Sequence, residues 1–153
     1  MLDHKEEAEL LRFGLVAGYR RVADAVRWAD DIITAESELP VEILDISPAG
    51  RQSPGDVAAL LAKIPGTYDA VAVRRRWLGE PLQLVQAQPA QADEVARWLY
   101  ELFVTGDLPE AQFGYGPNAL DDSFDLARRT IIPREEAMRQ LLEYLTRASR
   151  PAT

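Results

Sequence analysis

The residues best equipped for chemistry in this chain are carboxylates. Asp121-Asp122-Ser123-Phe124-Asp125 sets an acid pair three residues ahead of a third acid. On a helix, Asp121, Asp122 and Asp125 can turn oxygens toward one Mg²⁺, a hard cation that takes oxygen ligands and can polarise a phosphoryl group. The competing and favoured reading is structural: acids crowded at a helix start act as caps and face the positive end of the helix dipole. A second group comprises Glu6, Glu7 and Glu9 together with Glu38, Glu42 and Asp45, of which Glu42 and Asp45 have helical spacing that lets them converge. Its favoured reading is a solvated acidic face.

Other reactive types are scarce. The sequence has no cysteine, so disulfides, thiolate metal sites and thiol nucleophiles are excluded. His4 is the only histidine and is expected in a mobile N-terminal segment, where it would be a poorly positioned base. Phe113-Gly114-Tyr115-Gly116 lacks the glycine spacing, basic residue and preceding strand of a phosphate-binding loop and reads as a turn-rich loop. The one dense basic run, Arg74-Arg75-Arg76, fans over more than half of a helix circumference, and it is expected to pair with the surplus acids. Trp28, Trp77 and Trp98 read as packing residues.

Two local resemblances bear on the carboxylates. The Asp121-Asp122-x-x-Asp125 arrangement resembles the diphosphate-binding motif of isoprenoid synthases, which implies Mg²⁺ ligation by those three residues. It covers five residues, and the second acidic motif that such enzymes set opposite the first has no counterpart here. The grouping of Glu6, Glu7 and Glu9 with Glu38, Glu42 and Asp45 loosely resembles the helical carboxylate clusters of all-α nucleotide pyrophosphohydrolases. The spacing of Glu6, Glu7 and Glu9 departs from the first acidic motif of that family.

The elements that must position these residues are helical. Val22, Ala25, Val26, Ala29, Ile32 and Ile33 recur on one stripe and predict a helix from Tyr19 to Glu36. A shorter helix over Glu6 to Phe13, ended by Gly14 or Gly18, is expected to pair with it as an antiparallel hairpin. Pro40 opens a short helix carrying Ile43 and Ile46, and Ser53-Pro54-Gly55-Asp56 is the best helix start in the chain. A helix from Asp69 through Leu78 is expected to break or kink at Gly79 and Pro81. Gln91 to Val104 forms a helix closed by Gly106. Asp121 or Asp122 is expected to cap another, and Pro133 to open the last, whose inward face is Ala137, Met138, Leu141, Leu142 and Leu145. The reading is an all-α fold of about eight helices packed as antiparallel pairs, one domain over residues 1–148 with a tail at 149–153.

Composition narrows the function classes. The 153 residues carry a net charge of −8, which repels a phosphate backbone and argues against nucleic acid as a partner. The polar, acidic N-terminus is unlike a signal peptide, and no apolar run reaches bilayer length, so a cytoplasmic protein with no membrane partner is expected. No cofactor is implied. The primary expectation is a non-catalytic interaction module that binds a basic protein, a profile similar to that of small bacterial immunity proteins and other acidic inhibitors. The alternative is a Mg²⁺-dependent hydrolase of a nucleotide or other diphosphate, using Asp121, Asp122 and Asp125. The expected partner-binding region is the loop from Asp107 to Leu120, where Phe113 and Tyr115 lie between glycines, together with Asp121 and Asp122 beyond it.

Overall fold

The computed structural model describes residues 3–106, 108 and 116–150. Among them are eight α-helices, one 3₁₀ turn and no strand, so the protein is all-α. The helices are α1 (His4–Ala17), α2 (Val22–Ala35), α3 (Val41–Leu44), α4 (Pro54–Ala62), α5 (Ala70–Ala87), α6 (Ala92–Val104), α7 (Pro117–Arg128) and α8 (Arg134–Ser149). They divide into two compact units, residues 1–73 and residues 74–153.

In the first unit α1 begins where the Asp3 carboxylate accepts from the Glu6 backbone N–H at 2.9 Å. It continues through Gly14, beyond the expected end at Phe13, and closes at Gly18, whose φ of 90° lies in the left-handed region that glycine enters without strain. Tyr19 and Arg20 donate their backbone N–H groups to the Gly14 carbonyl, so the expected start of the second helix belongs instead to the turn that ends the first. The apolar stripe of α2 buries Ala25, Ala29 and Ile32. Ser53 caps α4 by accepting from the Asp56 N–H at 3.1 Å, with Pro54 in the first turn. The core joins Ala8 and Leu15 of α1 to Val57, Ala58 and Leu61 of α4, with Ile43, Ile46 and Ile64 filling the remaining space. The main partner of α1 is α4, rather than α2 as a hairpin reading predicts.

A polar link joins the same two helices. Glu9 is 2% exposed, and its two oxygens are held separately: Lys5 Nζ stands 3.0 Å from Oε1 and Arg12 Nε 2.6 Å from Oε2. Lys5 also donates to the Ala62 carbonyl at 2.9 Å, one of the last-turn carbonyls of α4 that has no partner within its own helix. A salt bridge within α1 and a cap on α4 are thus made by one ammonium, and the cap ties α1 to the end of α4. Gly66, at φ 128°, follows closely; a Cβ there would come within 2.9 Å of Lys5 Cβ, so the chain passes over the lysine stem only because the residue is glycine.

Helix α5 does not break. The Asp69 carboxylate accepts from the N–H groups of Val71 and Ala72 at 3.0 and 3.1 Å, and the helix then runs through Gly79 and Pro81 to Ala87. A proline inside a helix costs about 3 kcal/mol, because it cannot donate to the carbonyl four residues earlier. Trp77, Leu78, Pro81 and Val85 are all buried, so the continuous helix recovers that cost through apolar burial.

In the second unit α6, α7 and α8 pack around Val95, Leu99, Leu102, Leu120, Phe124, Leu141 and Leu145. Tyr144 belongs to the buried face of α8, whereas Met138 and Leu142 are only partly covered. Ser149 closes α8 instead of beginning a tail. Asp93 at the start of α6 ties the three helices: Arg128 NH1 approaches it at 2.9 Å and Arg134 NH1 at 2.6 Å. Burial alone would raise the Asp93 pKa, but the hydrogen bonds and charges of Arg134 and Arg128 outweigh it and hold the carboxyl below its ordinary value.

Two outcomes test these connections. Glu9→Ala strands the buried Lys5 ammonium and should cost about 3 kcal/mol or more in chemical denaturation, whereas Lys5→Met/Glu9→Leu should lose much less, because an apolar pair has no charge to desolvate. Asp93 binds its proton less readily folded than unfolded, so its stabilisation is complete above the ordinary carboxylate pKa and is lost as pH falls through the lowered folded value. Asp93→Asn should therefore cost up to about 1 kcal/mol at pH 7. The gap between variant and parent should close as thermal melts are taken toward pH 2.

Candidate functional site

The Asp121-Asp122-Asp125 group sits elsewhere on its helix than the sequence suggests. Pro117, behind Gly116, occupies the first turn of α7, so Asp121 and Asp122 fall in the helix interior and cap nothing. Proline takes that position because its missing N–H is one the first turn would leave unbonded in any case. Asp125 is turned toward two arginines, with Arg129 Nε 3.2 Å and Arg128 NH2 3.6 Å from its oxygens. Among the described residues no group of three or more His, Asp or Glu side chains is placed to hold a metal ion. Phe113 and Tyr115 lie outside the described residues.

The other acidic group is dispersed by its own hydrogen bonds. Glu9 belongs to the buried ion triad, and the Glu7 carboxylate accepts from Trp28 Nε1 at 2.6 Å. His4 is the first residue of α1, with Nε2 2.9 Å from Glu36 Oε2 and its ring edge-on to Trp28, so it is held in place where a mobile terminus is expected. These contacts tie Glu7 and Glu9 of α1 to the fold; among the described residues the carboxylates of Glu6, Glu38, Glu42 and Asp45 have no such contact.

What remains is a stretch of sequence of one sign. Residues 1–73 carry thirteen acids against seven bases, six of the eight surplus negative charges. Between Arg27 and Arg51 there is no Lys, Arg or His, yet Asp30, Asp31, Glu36, Glu38, Glu42 and Asp45 all fall there. Asp30 accepts from the Ser47 hydroxyl, and Glu36 meets His4. Among the described residues Asp31, Glu38, Glu42 and Asp45 make no ion pair.

α3 adds apolar surface to this stretch. Ile43 and Ile46, both 0% exposed, anchor the segment in the core of the first unit. The same helical spacing turns Val41 and Leu44 the other way, to 65% and 47% exposure. Two large aliphatic side chains one turn apart, beside Glu38, Glu42 and Asp45, can supply desolvated contact area within an acidic rim. The signal was present in the sequence as the base-free stretch from 28 to 50. Attention to acids at metal-ligand spacing passes over it.

The basic run also departs from expectation. Arg74, Arg75 and Arg76 make no ion pair among the described residues, although intramolecular pairing with surplus acids was expected. Arg74 and Arg75 are half-buried and Arg76 is exposed. Arg74 Nε and Trp77 Nε1, one turn apart, are sealed from solvent with no hydrogen-bond partner, and each such buried donor costs about 1–3 kcal/mol. Tyr144 is in the same unit and 5% exposed; burial raises its phenol to about 12, against the opposing effect of the Arg74 charge.

No family model, no curated protein and no solved structure matches this chain.

Proposed function

We propose that the chain is a non-catalytic binding module for a basic protein, an inhibitor or immunity-type binder acting in the cytoplasm. Its contact surface on this reading is the acidic face of the first unit. The observation that carries the reading is the base-free segment 28–50, with six acids and with Val41 and Leu44 turned outward from a helix whose Ile43 is fully buried. The division of labour follows from the physics of association. Exposed carboxylates steer a basic partner into encounter over about 8 Å at physiological salt. The two aliphatic side chains then contribute apolar area that leaves water only in the complex. The loop that holds Phe113 and Tyr115, with Asp121 and Asp122 beyond it, is a separate candidate surface.

A Lys/Leu-rich amphipathic helical peptide is a suitable probe, titrated calorimetrically against the full chain at low and physiological salt. Leu44→Ser should leave the melting midpoint almost unchanged, since exposed substitutions stay within about 0.5 kcal/mol, yet weaken binding about tenfold. Glu38→Gln/Asp45→Asn should flatten the salt dependence. Affinity indifferent to both variants would sink the proposal, as would Mg²⁺-dependent release of phosphate from a nucleoside diphosphate that disappears in Asp122→Ala.

A further inference from the structure

The unpaired donors of the second unit call for a separate explanation. Arg74 and Trp77 lie three residues apart on α5, so their side chains share a face. Arg74 Nε and Trp77 Nε1 are both closed off from solvent and bonded to nothing, and Trp77 as a whole is 2% exposed. Roughly nine in ten buried polar groups in folded proteins have a partner, so two orphans on one helix face are an anomaly with a common cause.

The two cannot satisfy each other. An indole N–H is a donor only, and a guanidinium has five donors and no acceptor. What answers both is a group with several lone pairs. Water has lone pairs without charge, and the half-buried Arg74 guanidinium faces no carboxylate within ion-pair distance among the described residues. Arg75 and Arg76 likewise make no ion pair among the described residues, so three cationic side chains follow one another on α5.

We propose that the second unit binds an oxyanion group, a phosphate or a carboxylate, through Arg74 and Trp77. The guanidinium supplies the countercharge and a charge-assisted hydrogen bond. The indole N–H fixes a second oxygen, and the apolar side chains around Trp77 keep competing water away.

The indole N–H resonances of the ¹⁵N-labelled full chain report on it directly, with Trp77→Phe assigning the relevant signal. Sodium phosphate and sodium acetate are titrated separately at constant ionic strength, with chloride as the balance. The Trp77 signal should move downfield and saturate at millimolar concentration or below in one or both titrations, which identifies the preferred oxyanion. The Trp28 indole, already bonded to Glu7 at 2.6 Å, should stay still. Arg74→Gln should weaken binding at least about tenfold, as expected for loss of a charged partner. If neither anion moves the Trp77 signal, or if both move it equally in Arg74→Gln, the assignment is wrong and the donors are served by water. Should Arg74→Gln fail to fold, Trp77→Phe decides the matter through phosphate stabilisation, and a rise in melting midpoint equal to that of the parent overturns the site.

Discussion

A carboxylate sealed from water must find cations or lose its charge, and Glu9 finds two. Burying an ion costs several kcal/mol after relaxation, so the site tolerates it only because each oxygen has its own donor and the Lys5 ammonium has a second acceptor at Ala62. Such an arrangement contributes little net stability compared with a well-packed apolar pair. Its bearing on specificity runs through one contact: another register of α1 on α4 takes the Lys5 ammonium away from the Ala62 carbonyl, while Glu9 keeps both partners on its own helix. The close passage of Gly66 over the Lys5 stem depends on the same register. So does the position of Glu7 and His4, one of which meets Trp28 and the other Glu36 at the end of α2.

That constraint sorts the acids of the first unit. Glu7 and Glu9 of α1 are drawn inward or toward donors, and Asp24 of α2 accepts from the Arg21 N–H at 2.8 Å. Among the described residues Asp31, Glu38, Glu42 and Asp45 make no ion pair, and no base occurs in sequence between Arg27 and Arg51. The outward charge of the face is therefore a residue of internal pairing as much as of composition. α3 itself is too short to persist alone, since a helix of four residues gains almost nothing beyond its nucleation cost. Ile43 and Ile46 hold it, and by holding it they fix the direction of Val41 and Leu44.

Helical periodicity made most of the architecture legible. The stripe of α2, the Ser53-Pro54 start of α4, the Gly106 close of α6 and the Ala137-Leu141-Leu145 face of α8 all follow from spacing and cap chemistry. The failures have local causes. Asp121 and Asp122 looked like caps because acids are common there, but Pro117 four residues earlier is a stronger start signal. Pro81 reads as a break or a kink, and the helix runs on through it, with Trp77, Leu78 and Val85 buried against the loss of one hydrogen bond. The partnership of α1 with α4 was hidden because it depends on Lys5 reaching Ala62, a contact between residues far apart in sequence that no local pattern encodes. The candidate site was half legible: charge counting over 28–50 exposes the acidic stretch, whereas the outward turn of Val41 and Leu44 requires knowing that Ile43 is the buried neighbour.

An acidic surface can serve solubility alone, and the two helical surfaces of this protein show why that account falls short for α3. On α8, Glu136, Arg139, Glu143 and Arg147 alternate in sign at helical spacing, with pairs at 2.6, 3.1 and 2.9 Å, and Glu136 is held down to about 2 by hydrogen bonds from Arg139 and Gln140. Mixed charge of this kind keeps a surface wet and contributes a few tenths of a kcal/mol per pair. Around α3 the same spacing sets Glu42 against Asp45, a like-charge pair that destabilises by a similar amount. The chain carries enough arginine to balance that face and places none there. Self-repulsion on an exposed face that also turns out two aliphatic side chains has no return within the fold; a basic partner covering Val41 and Leu44 would relieve the repulsion and bury the apolar area in one step.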